Sequence, residues 1–365
     1  MGKVSGSFKN ARGQKLYTAE WTPDAGDVKA VLFWNHGFGE YIDRFDASAK
    51  IWTESGIAMF GFDAHGMGLS EPFDEPSRAL IRRFSHLVDD AVQYMDEVLK
   101  PALAARGITA PIFIAGDSLG GLVASYVVLQ RPEAFAGLVM QSPAIDVEWT
   151  PLLRFQAAIG NVLAAVVPRA KLVPAVRPED MSQDPAVVKE YLEDPMIYKG
   201  NVKALSGNEI LKAFRGLSSK RAEFKLPILA VHGTADRCTS LPAVREMLKH
   251  VSSTDVKLIE VEGGYHELLM GPEKEQVRAG IRDWLLAHAE ARAEAVVPAD
   301  EKADAVAAED KEAPPAAAAT AATPAEAPEA GSAEAEAAKE GVAPAAAEGA
   351  AAVPAEAEGA KALAP

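Results

Sequence analysis

The strongest chemical signal in the chain is a serine enclosed by small residues, in the segment Gly116-Asp117-Ser118-Leu119-Gly120. A buried strand is predicted to end at Ala115 and a helix to begin at Leu119, which puts Ser118 on a sharp strand-to-helix turn. The flanking glycines are needed there because a side chain would collide with the crossing backbone. The helix N-terminus also favours negative charge beside the hydroxyl. The motif predicts a nucleophilic serine, the alternative being an ordinary glycine-rich helix start.

A serine nucleophile needs a base to take its proton and an acid to orient that base. His266, in a glycine-rich loop after the predicted strand Val256 to Val261, is the candidate base. Asp236, in a loop directly after another predicted strand, is the candidate acid. Asp146 is its rival, because some enzymes of this kind take the acid from a loop after the sixth strand.

Hydrolysis through a tetrahedral intermediate also needs two backbone donors for the oxyanion. The N–H of Leu119 is one candidate, because it follows the nucleophile. The N–H of Phe38 is the other, since Gly37 and Gly39 let the backbone turn that amide inward. His36 is expected to brace this loop rather than to act as a base.

Short apolar runs separated by stretches of helical periodicity predict a mainly parallel sheet with helices on both faces. The predicted strands are Val4 to Phe8, Lys15 to Trp21, Ala30 to Trp34, Ile57 to Phe62, Pro111 to Ala115, Gly137 to Gln141, Leu226 to Val231 and Val256 to Val261. The predicted helices are Ala47 to Ser55, Ser85 to Arg106, Leu119 to Gln130, Pro242 to Val251 and Glu273 to Ala287. The sheet must therefore hold the candidate residues at the carboxyl ends of its strands.

Residues 143–225 contain no convincing strand and are too long for a simple connection, so they predict a helical cap inserted after the sixth strand. The core is then formed by residues 1–142 and 226–290. The run from Leu152 to Val167 is apolar around much of a helix, which indicates a surface for an acyl chain or a peripheral membrane contact. Leu152, Leu153, Phe155, Ile159, Val162, Leu163, Val166 and Val167 make up this surface.

Composition excludes several classes of function. The net charge is −15, which argues against nucleic acid as a partner. The single cysteine, Cys238, excludes a disulfide framework and a cysteine-built metal site, and the sequence predicts neither a metal nor a cofactor.

Residues 291–365 carry 15 acidic and five basic side chains and no aromatic one, which predicts a disordered acidic tail. Without an apolar leader at Met1 to Asn10, a cytoplasmic protein is expected.

Five segments together resemble the monoacylglycerol lipase and lysophospholipase branch of the α/β-hydrolases, from about residue 8 to residue 288. They are His36-Gly37-Phe38-Gly39, Gly61 to Ser70, Gly116 to Gly121, Gly233-Thr234-Ala235-Asp236 and Tyr265-His266, and Glu193-Asp194-Pro195-Met196 is similar to the stretch that closes the cap there. The resemblance implies an eight-stranded sheet, a triad at Ser118, Asp236 and His266, an oxyanion hole at Phe38 and Leu119, and no cofactor. Asp117 departs from the histidine of the animal lipases, and Leu119 stands where methionine is common.

The sequence therefore predicts a serine hydrolase that releases a fatty acid from monoacylglycerols or lysophospholipids through an acyl-enzyme. It is expected to work in the cytoplasm, with peripheral contact to membranes or lipid droplets through the cap. The alternatives are a carboxylesterase or transacylase on small soluble esters, a peptidase that releases N-terminal residues, and a catalytically silent module that binds lipid. Oligomeric state, acyl-chain length and head group stay open.

Overall fold

The predicted eight-stranded sheet is present in the computed structural model, which describes residues 2–24, 26–147, 151–173 and 176–296. The strands of this sheet are β1 Gly2–Lys9, β2 Lys15–Thr22, β3 Ala30–Asn35, β4 Ile57–Phe62, β5 Ile112–Asp117, β6 Gly137–Gln141, β9 Ile228–Gly233 and β10 Val256–Val261. Their order in the sheet is β1-β2-β4-β3-β5-β6-β9-β10, with β1 and β2 antiparallel and β3 to β6, β9 and β10 parallel. The expected mainly parallel architecture is confirmed.

Apolar side chains on both faces of the central strands explain why the sheet is covered twice. Along β3, Val31 and Phe33 belong to one hydrophobic core, whereas Leu32 and Trp34 belong to the core on the opposite face. Alternate side chains of a strand point to opposite faces, so a strand that is apolar throughout needs helices on both sides. The helices are α1 Asp46–Glu54, α2 Phe84–Tyr94, α3 Lys100–Ala105, α4 Leu119–Gln130, α5 Pro151–Val166, α6 Pro185–Glu193, α7 Ala204–Ser218, α8 Leu241–His250 and α9 Lys274–Val296.

The predicted helix from Ser85 to Arg106 is one helical run with a wider turn in it. A π-helical turn at Met95–Leu99 joins α2 to α3. Pro101 follows directly, in the first turn of α3. Because proline has no N–H to donate to the preceding turn, the hydrogen-bonding pattern changes at this point without ending the helix.

The segment between β6 and β9 contains α5, α6 and α7 together with a two-stranded sheet. This sheet pairs β7, Lys171–Val173, with β8, Val202–Lys203, so the prediction of a segment without strands was wrong. Strands of two or three residues are too short to show a periodic pattern. Helix α7 was also not predicted individually, although it packs against α5 and buries Phe214 and Leu217.

The C-terminal boundary of the folded part differs from the predicted one. Helix α9 continues to Val296, so residues 291–296, predicted as the start of the tail, are helical. Alanine, glutamate and arginine, which form most of this stretch, are all favourable in helices. The rest of the predicted tail, residues 297–365, lies outside the described residues. Among the helices that the structure describes, none combines the length and the apolar character needed to cross a membrane.

Candidate active site

Ser118 occupies a strained turn between β5 and α4. Its φ is 48° and its ψ is −118°, a left-handed conformation that costs a residue other than glycine about 1–3 kcal/mol. A Cβ on Gly116 would lie 2.3 Å from the carbonyl carbon of Gly120, and a Cβ on Gly120 would lie 2.0 Å from the carbonyl oxygen of Asn35. Only glycine fits at either position, which is the physical requirement behind the sequence motif.

His266 and Asp236 are joined by a hydrogen bond of 2.9 Å between Nδ1 of the imidazole and Oδ2 of the carboxylate. Asp236 follows β9 and His266 follows β10, and these two strands are parallel neighbours whose carboxyl ends meet at one edge of the sheet. Since Nδ1–H donates to the carboxylate, Nε2 of the neutral ring is left to accept a proton. The pair has the arrangement that an oriented general base requires.

Several donors hold the Asp236 carboxylate in place. The backbone N–H groups of Cys238 and Thr239 donate to Oδ1 at 2.7 and 3.0 Å, and the Thr239 hydroxyl donates to Oδ2 at 2.7 Å. The fully buried His232 lies underneath, with Nε2 3.3 Å from Oδ2. Asp146, the rival acid, accepts a hydrogen bond at Oδ1 from the N–H of Val147. The 2.9 Å bond from His266 to Asp236 favours Asp236 as the partner of the imidazole.

Burial and charge act in opposite directions on this pair. Burial acts to raise the pKa of Asp236, but His266 and His232 outweigh it and hold this pKa well below its usual range. Burial acts to lower the pKa of His266, but the charge and hydrogen bond of Asp236 outweigh it and raise the pKa above its ordinary value. Asp236 is therefore ionised at neutral pH, and it stabilises a positive charge on His266.

Ser118 and His266 both line a cavity of about 590 Å³. Among the described residues there is no hydrogen bond between Ser118 Oγ and the imidazole, a contact that in free enzymes often forms or tightens only with substrate. Other walls of the cavity come from the segment between β6 and β9, including Leu163 of α5 and Phe214 of α7. The proposed reacting groups thus face a space that is closed in part by apolar side chains.

The two expected oxyanion donors, Phe38 and Leu119, line the same cavity. Leu119 is the first residue of α4, so its N–H has no acceptor within the helix. No atom in the described part of the chain accepts a hydrogen bond from either amide. Gly39, next to Phe38, has a φ of 79°, and a Cβ there would lie 2.8 Å from the carbonyl oxygen of Tyr198. This glycine is required both by conformation and by contact.

His36 links the loop of Phe38 to a neighbouring loop. Its Nδ1 lies 2.8 Å from the carbonyl oxygen of Gly37, and the backbone N–H of Ala64 donates to Nε2 at 2.9 Å. Both ring nitrogens are thereby engaged, and His36 is buried. This is the bracing position expected from the sequence.

One group of side chains in the described residues has the proximity needed to share a metal ion: Asp236, Cys238 and His266, whose ligand atoms lie within 4.8 Å of one another. Asp236 Oδ2 and His266 Nδ1 are already hydrogen-bonded to each other. Burial, followed by the charge of Asp236, raises the pKa of the Cys238 thiol, which disfavours the thiolate that a metal would need. The chemistry of the donors suits an imidazole base better than a metal centre.

A second polar group, not predicted from the sequence, consists of three acids that line the cavity, Glu40, Asp117 and Glu267, and the buried Arg44. Arg44 donates to Glu267 through Nη1 and Nη2 at 2.9 and 3.1 Å, and it also donates to Glu40. A signal was present in the chain, because each of the three acids stands within two residues of Phe38, Ser118 or His266. An acidic residue beside each predicted functional residue is a pattern that a single sequence does reveal.

Comparisons with known proteins agree with this fold. A family model described as serine aminopeptidase, S33 (Hydrolase_4) matches residues 26–273. Human monoglyceride lipase is 30% identical over 261 residues, which cover 71% of this chain and 82% of that protein. Phospholipase YtpA of Bacillus subtilis (strain 168) is 26% identical over 259 residues, which cover 70% of this chain and 95% of that protein.

A solved structure gives the same result. The crystal structure of a monoacylglycerol lipase from Paleococcus ferrophilus matches with a TM-score of 0.63 and 25% identity, covering 75% of this chain and 99% of that one. The sheet order, the serine turn and these matches define an α/β-hydrolase fold. The chain belongs to the Hydrolase_4 family.

Proposed function

We propose that this protein is a serine hydrolase that cleaves the ester bond of monoacylglycerols or lysophospholipids and releases a fatty acid. The observation that carries the proposal is that Ser118 lines the same cavity as His266, whose Nδ1 is hydrogen-bonded to the buried Asp236. The similarity to monoglyceride lipases and to a phospholipase supports the choice of a single-chain lipid ester as the substrate.

The proposed reaction has two halves, acylation and deacylation of Ser118, and the same catalytic residues act in both. Ser118 Oγ attacks the ester carbonyl carbon while its proton passes to Nε2 of His266, and Asp236 stabilises the resulting imidazolium. The N–H groups of Phe38 and Leu119 hold the oxyanion. The imidazolium then protonates the departing alcohol, which leaves an acyl group on Ser118. Water attacks this acyl-enzyme with His266 again as the base. The imidazolium then returns the proton to Ser118 Oγ as the bond to the acyl carbon breaks, and the fatty acid is released.

We propose residues 143–225 as a cap that receives the acyl chain. Ile159, Leu163 and Phe214 line the cavity from α5 and α7, and an acyl chain gains free energy by leaving water for such a surface. The volume of the cavity is in the range of sites that enclose most of a small ligand. The cap and the catalytic residues would then divide the work between chain selection and ester cleavage.

The outer face of α5 supports peripheral contact with a lipid surface. Val162, Val166 and Val167 are 64%, 73% and 40% exposed, an unusual density of accessible apolar side chains for one helix end. Leu152, Leu153 and Phe155, which the sequence also assigned to this surface, lie outside the described side chains. We propose that the three valines touch the membrane from which the substrate is taken.

A panel of monoacylglycerols, lysophospholipids and short nitrophenyl esters, assayed side by side, tests the function. The proposal predicts the highest kcat/KM on a long-chain monoacylglycerol or lysophospholipid. A clear preference for the short esters would favour a carboxylesterase, and transfer of the acyl group to added glycerol instead of water would favour a transacylase. A folded protein that resists a fluorophosphonate probe would instead favour a lipid-binding module.

A further inference from the structure

The buried group formed by Glu40, Arg44, Asp117 and Glu267, called the acid cluster below, joins three loops of the proposed active site. Glu40 lies on the loop of Phe38, Asp117 directly precedes Ser118, and Glu267 directly follows His266. All three acids are less than 10% exposed, and the Arg44 side chain is 8% exposed. Acids buried to this degree must be neutralised by a cation or by a proton.

Glu40 and Asp117 approach each other beside Gly37. A Cβ built on Gly37 would lie 2.8 Å from both Asp117 Oδ2 and Glu40 Oε2. An ionised carboxylate can only accept hydrogen bonds, so two neighbouring buried carboxyl groups repel each other unless one of them carries a proton that it can donate. The geometry therefore favours a proton on one of the two residues.

The surrounding charges decide which residue holds the proton. Burial and then the charge of Glu40 raise the pKa of Asp117 well above its usual range. Burial also acts to raise the pKa of Glu40, but Arg44 outweighs it and lowers this pKa to about 2. Arg44 contacts Glu40 and Glu267 directly, and Asp117 accepts a hydrogen bond at Oδ1 from the indole of Trp34 at 3.2 Å.

The other titratable groups that face the cluster are histidines. His36 interacts electrostatically with Glu40, and His266 interacts with both Glu40 and Glu267. Burial lowers the pKa of His36, so that ring is neutral near pH 7 and adds no positive charge. Arg44 is thus the one permanent cation among the described residues that contact the three acids, and one cation cannot balance three ionised acids.

We propose that Asp117 stays protonated and donates to Glu40, and that the acid cluster is thereby a positioning device for the catalytic loops. The proposal rests on the proposed function, because it concerns the same site. Glu40 uses Oε2 to accept the N–H of Gly37 at 3.2 Å, which orients the peptide that precedes the Phe38 amide. Arg44 holds Glu267, and with it the loop that carries His266. None of the four side chains is required to touch the reacting atoms.

The proposal predicts opposite results for two conservative variants. In Asp117→Asn, an amide donor replaces the protonated acid, so we expect kcat on a short nitrophenyl ester to fall by no more than about threefold at neutral pH. In Glu40→Gln, the acceptor for Asp117 and the partner of Arg44 are both weakened. We expect kcat to fall by about tenfold or more with a smaller change in KM, because misplaced groups slow the reaction more than they weaken binding. Equal losses in both variants, or the reverse order, would overturn the assignment.

The proton itself can be observed without any substrate. Infrared spectra of the full chain at neutral pH should contain a carboxylic-acid C=O band that Asp117→Asn removes. Asp90→Asn is the matched control, since Asp90 is equally buried but pairs with Arg12 and His65 outside the cavity lining. An unchanged band in Asp117→Asn contradicts the proposal. Because this measurement does not depend on turnover, a wild-type protein inactive on every ester would refute the proposed function separately.

The pH profile supplies a further readout. Loss of the Asp117 proton at alkaline pH would place two adjacent carboxylates in a buried site and force them apart. The wild type should therefore lose kcat/KM at alkaline pH, and Asp117→Asn, which has no such proton, should keep its activity to higher pH. An identical alkaline profile in both proteins would contradict a positioning role for this proton.

Discussion

The proposed catalytic loops and the proposed cap are stabilised by different interactions. The proposed catalytic loops follow strands of the large sheet and are fixed by directional contacts such as the Asp236 hydrogen bonds. The described part of the proposed cap contains α5, α6, α7 and a very short sheet, and it exposes apolar side chains such as Val166. Directional hydrogen bonds set atomic positions, whereas apolar contacts depend mainly on the area removed from water.

Hydrogen bonds also join the proposed cap to the helices and loops of the rest of the fold. Ser206 of α7 accepts a hydrogen bond from the N–H of Ile81 at 2.9 Å, and the hydroxyl of Tyr126 on α4 donates to the carbonyl oxygen of Ala213 at 2.6 Å. The difference between the regions suggests separate roles, in which the loops determine the reaction and the cap determines which substrate enters. The predictions below test that separation.

The largest effect is expected from Ser118→Ala, which removes the nucleophile. We expect kcat to fall by about 10⁴-fold or more on every ester, as for other triad serines. Ser125→Ala in α4 is a matched control, because Ser125 donates to the carbonyl oxygen of Gly121 and to the sulfur of Met140 and is not part of the cavity lining. Assays of both variants with thermal melts would expose the difference, and retention of most activity in Ser118→Ala would contradict the account.

Asp236→Asn should cost about 10³ to 10⁴-fold in kcat, because the amide selects the wrong tautomer of His266 and cannot stabilise the imidazolium. The chain offers a control in Asp255→Asn. Asp255 also forms a 2.9 Å hydrogen bond with a histidine, His288, but the pair is outside the cavity lining. Steady-state kinetics should show little change in the control. Similar losses in the two variants would mean that Asp236 has no special role.

The cap variant Leu163→Asp should have an intermediate effect that depends on the substrate. Leu163 lines the cavity, so a charge there should lower kcat/KM on long-chain monoacylglycerols by about tenfold or more, and on a short soluble ester by much less. In Val162→Asp the same change is made at the adjacent exposed residue. It should preserve hydrolysis of the short ester and weaken binding to phospholipid vesicles. Equal loss on both esters in Leu163→Asp would refute a role in chain selection.

The smallest predicted effect is a shift in pH dependence. His266 must be neutral to accept the serine proton, and Asp236 raises its pKa above the ordinary value of about 6.5. Activity should therefore be present above this raised pKa and lost as the pH falls through it. The acidic limb of kcat/KM against pH should lie above 6.5 in the wild type. A limb well below this value would show that Asp236 does not control the imidazole.

Much of the fold was predictable because short strands rich in apolar residues carry a strong local signal. Strands β4, β6 and β10 begin and end at the predicted residues, since each is a short run rich in apolar residues. Strand β5 extends two residues further, to Asp117, because its glycine continues the pairing with β6 before the turn. Helix α7 was harder to recognise, since Gly207 and Gly216 weaken its helical signal and its burial depends on contacts with other elements.

The functional site was also predictable only in part. Ser118, Asp236 and His266 could be chosen from the sequence because each stands in a short segment of recognisable composition. The acids of the acid cluster are visible beside these segments in the sequence, but their pairing with Arg44 is not. Arg44 and Glu267 are 223 residues apart, and their pairing depends on how the sheet brings two loops together. Long-range ion pairs leave no periodic trace in a single sequence, so only the folded structure reveals them.

The most direct test of the central claim is to map where an alkyl fluorophosphonate reacts with the full chain, using peptide mass spectrometry. The account predicts a single adduct on Ser118, formed much more slowly in His266→Ala and Asp236→Asn than in the wild type. An adduct on another residue, or equal labelling rates in the three folded proteins, would contradict the claim that these residues act as one catalytic unit.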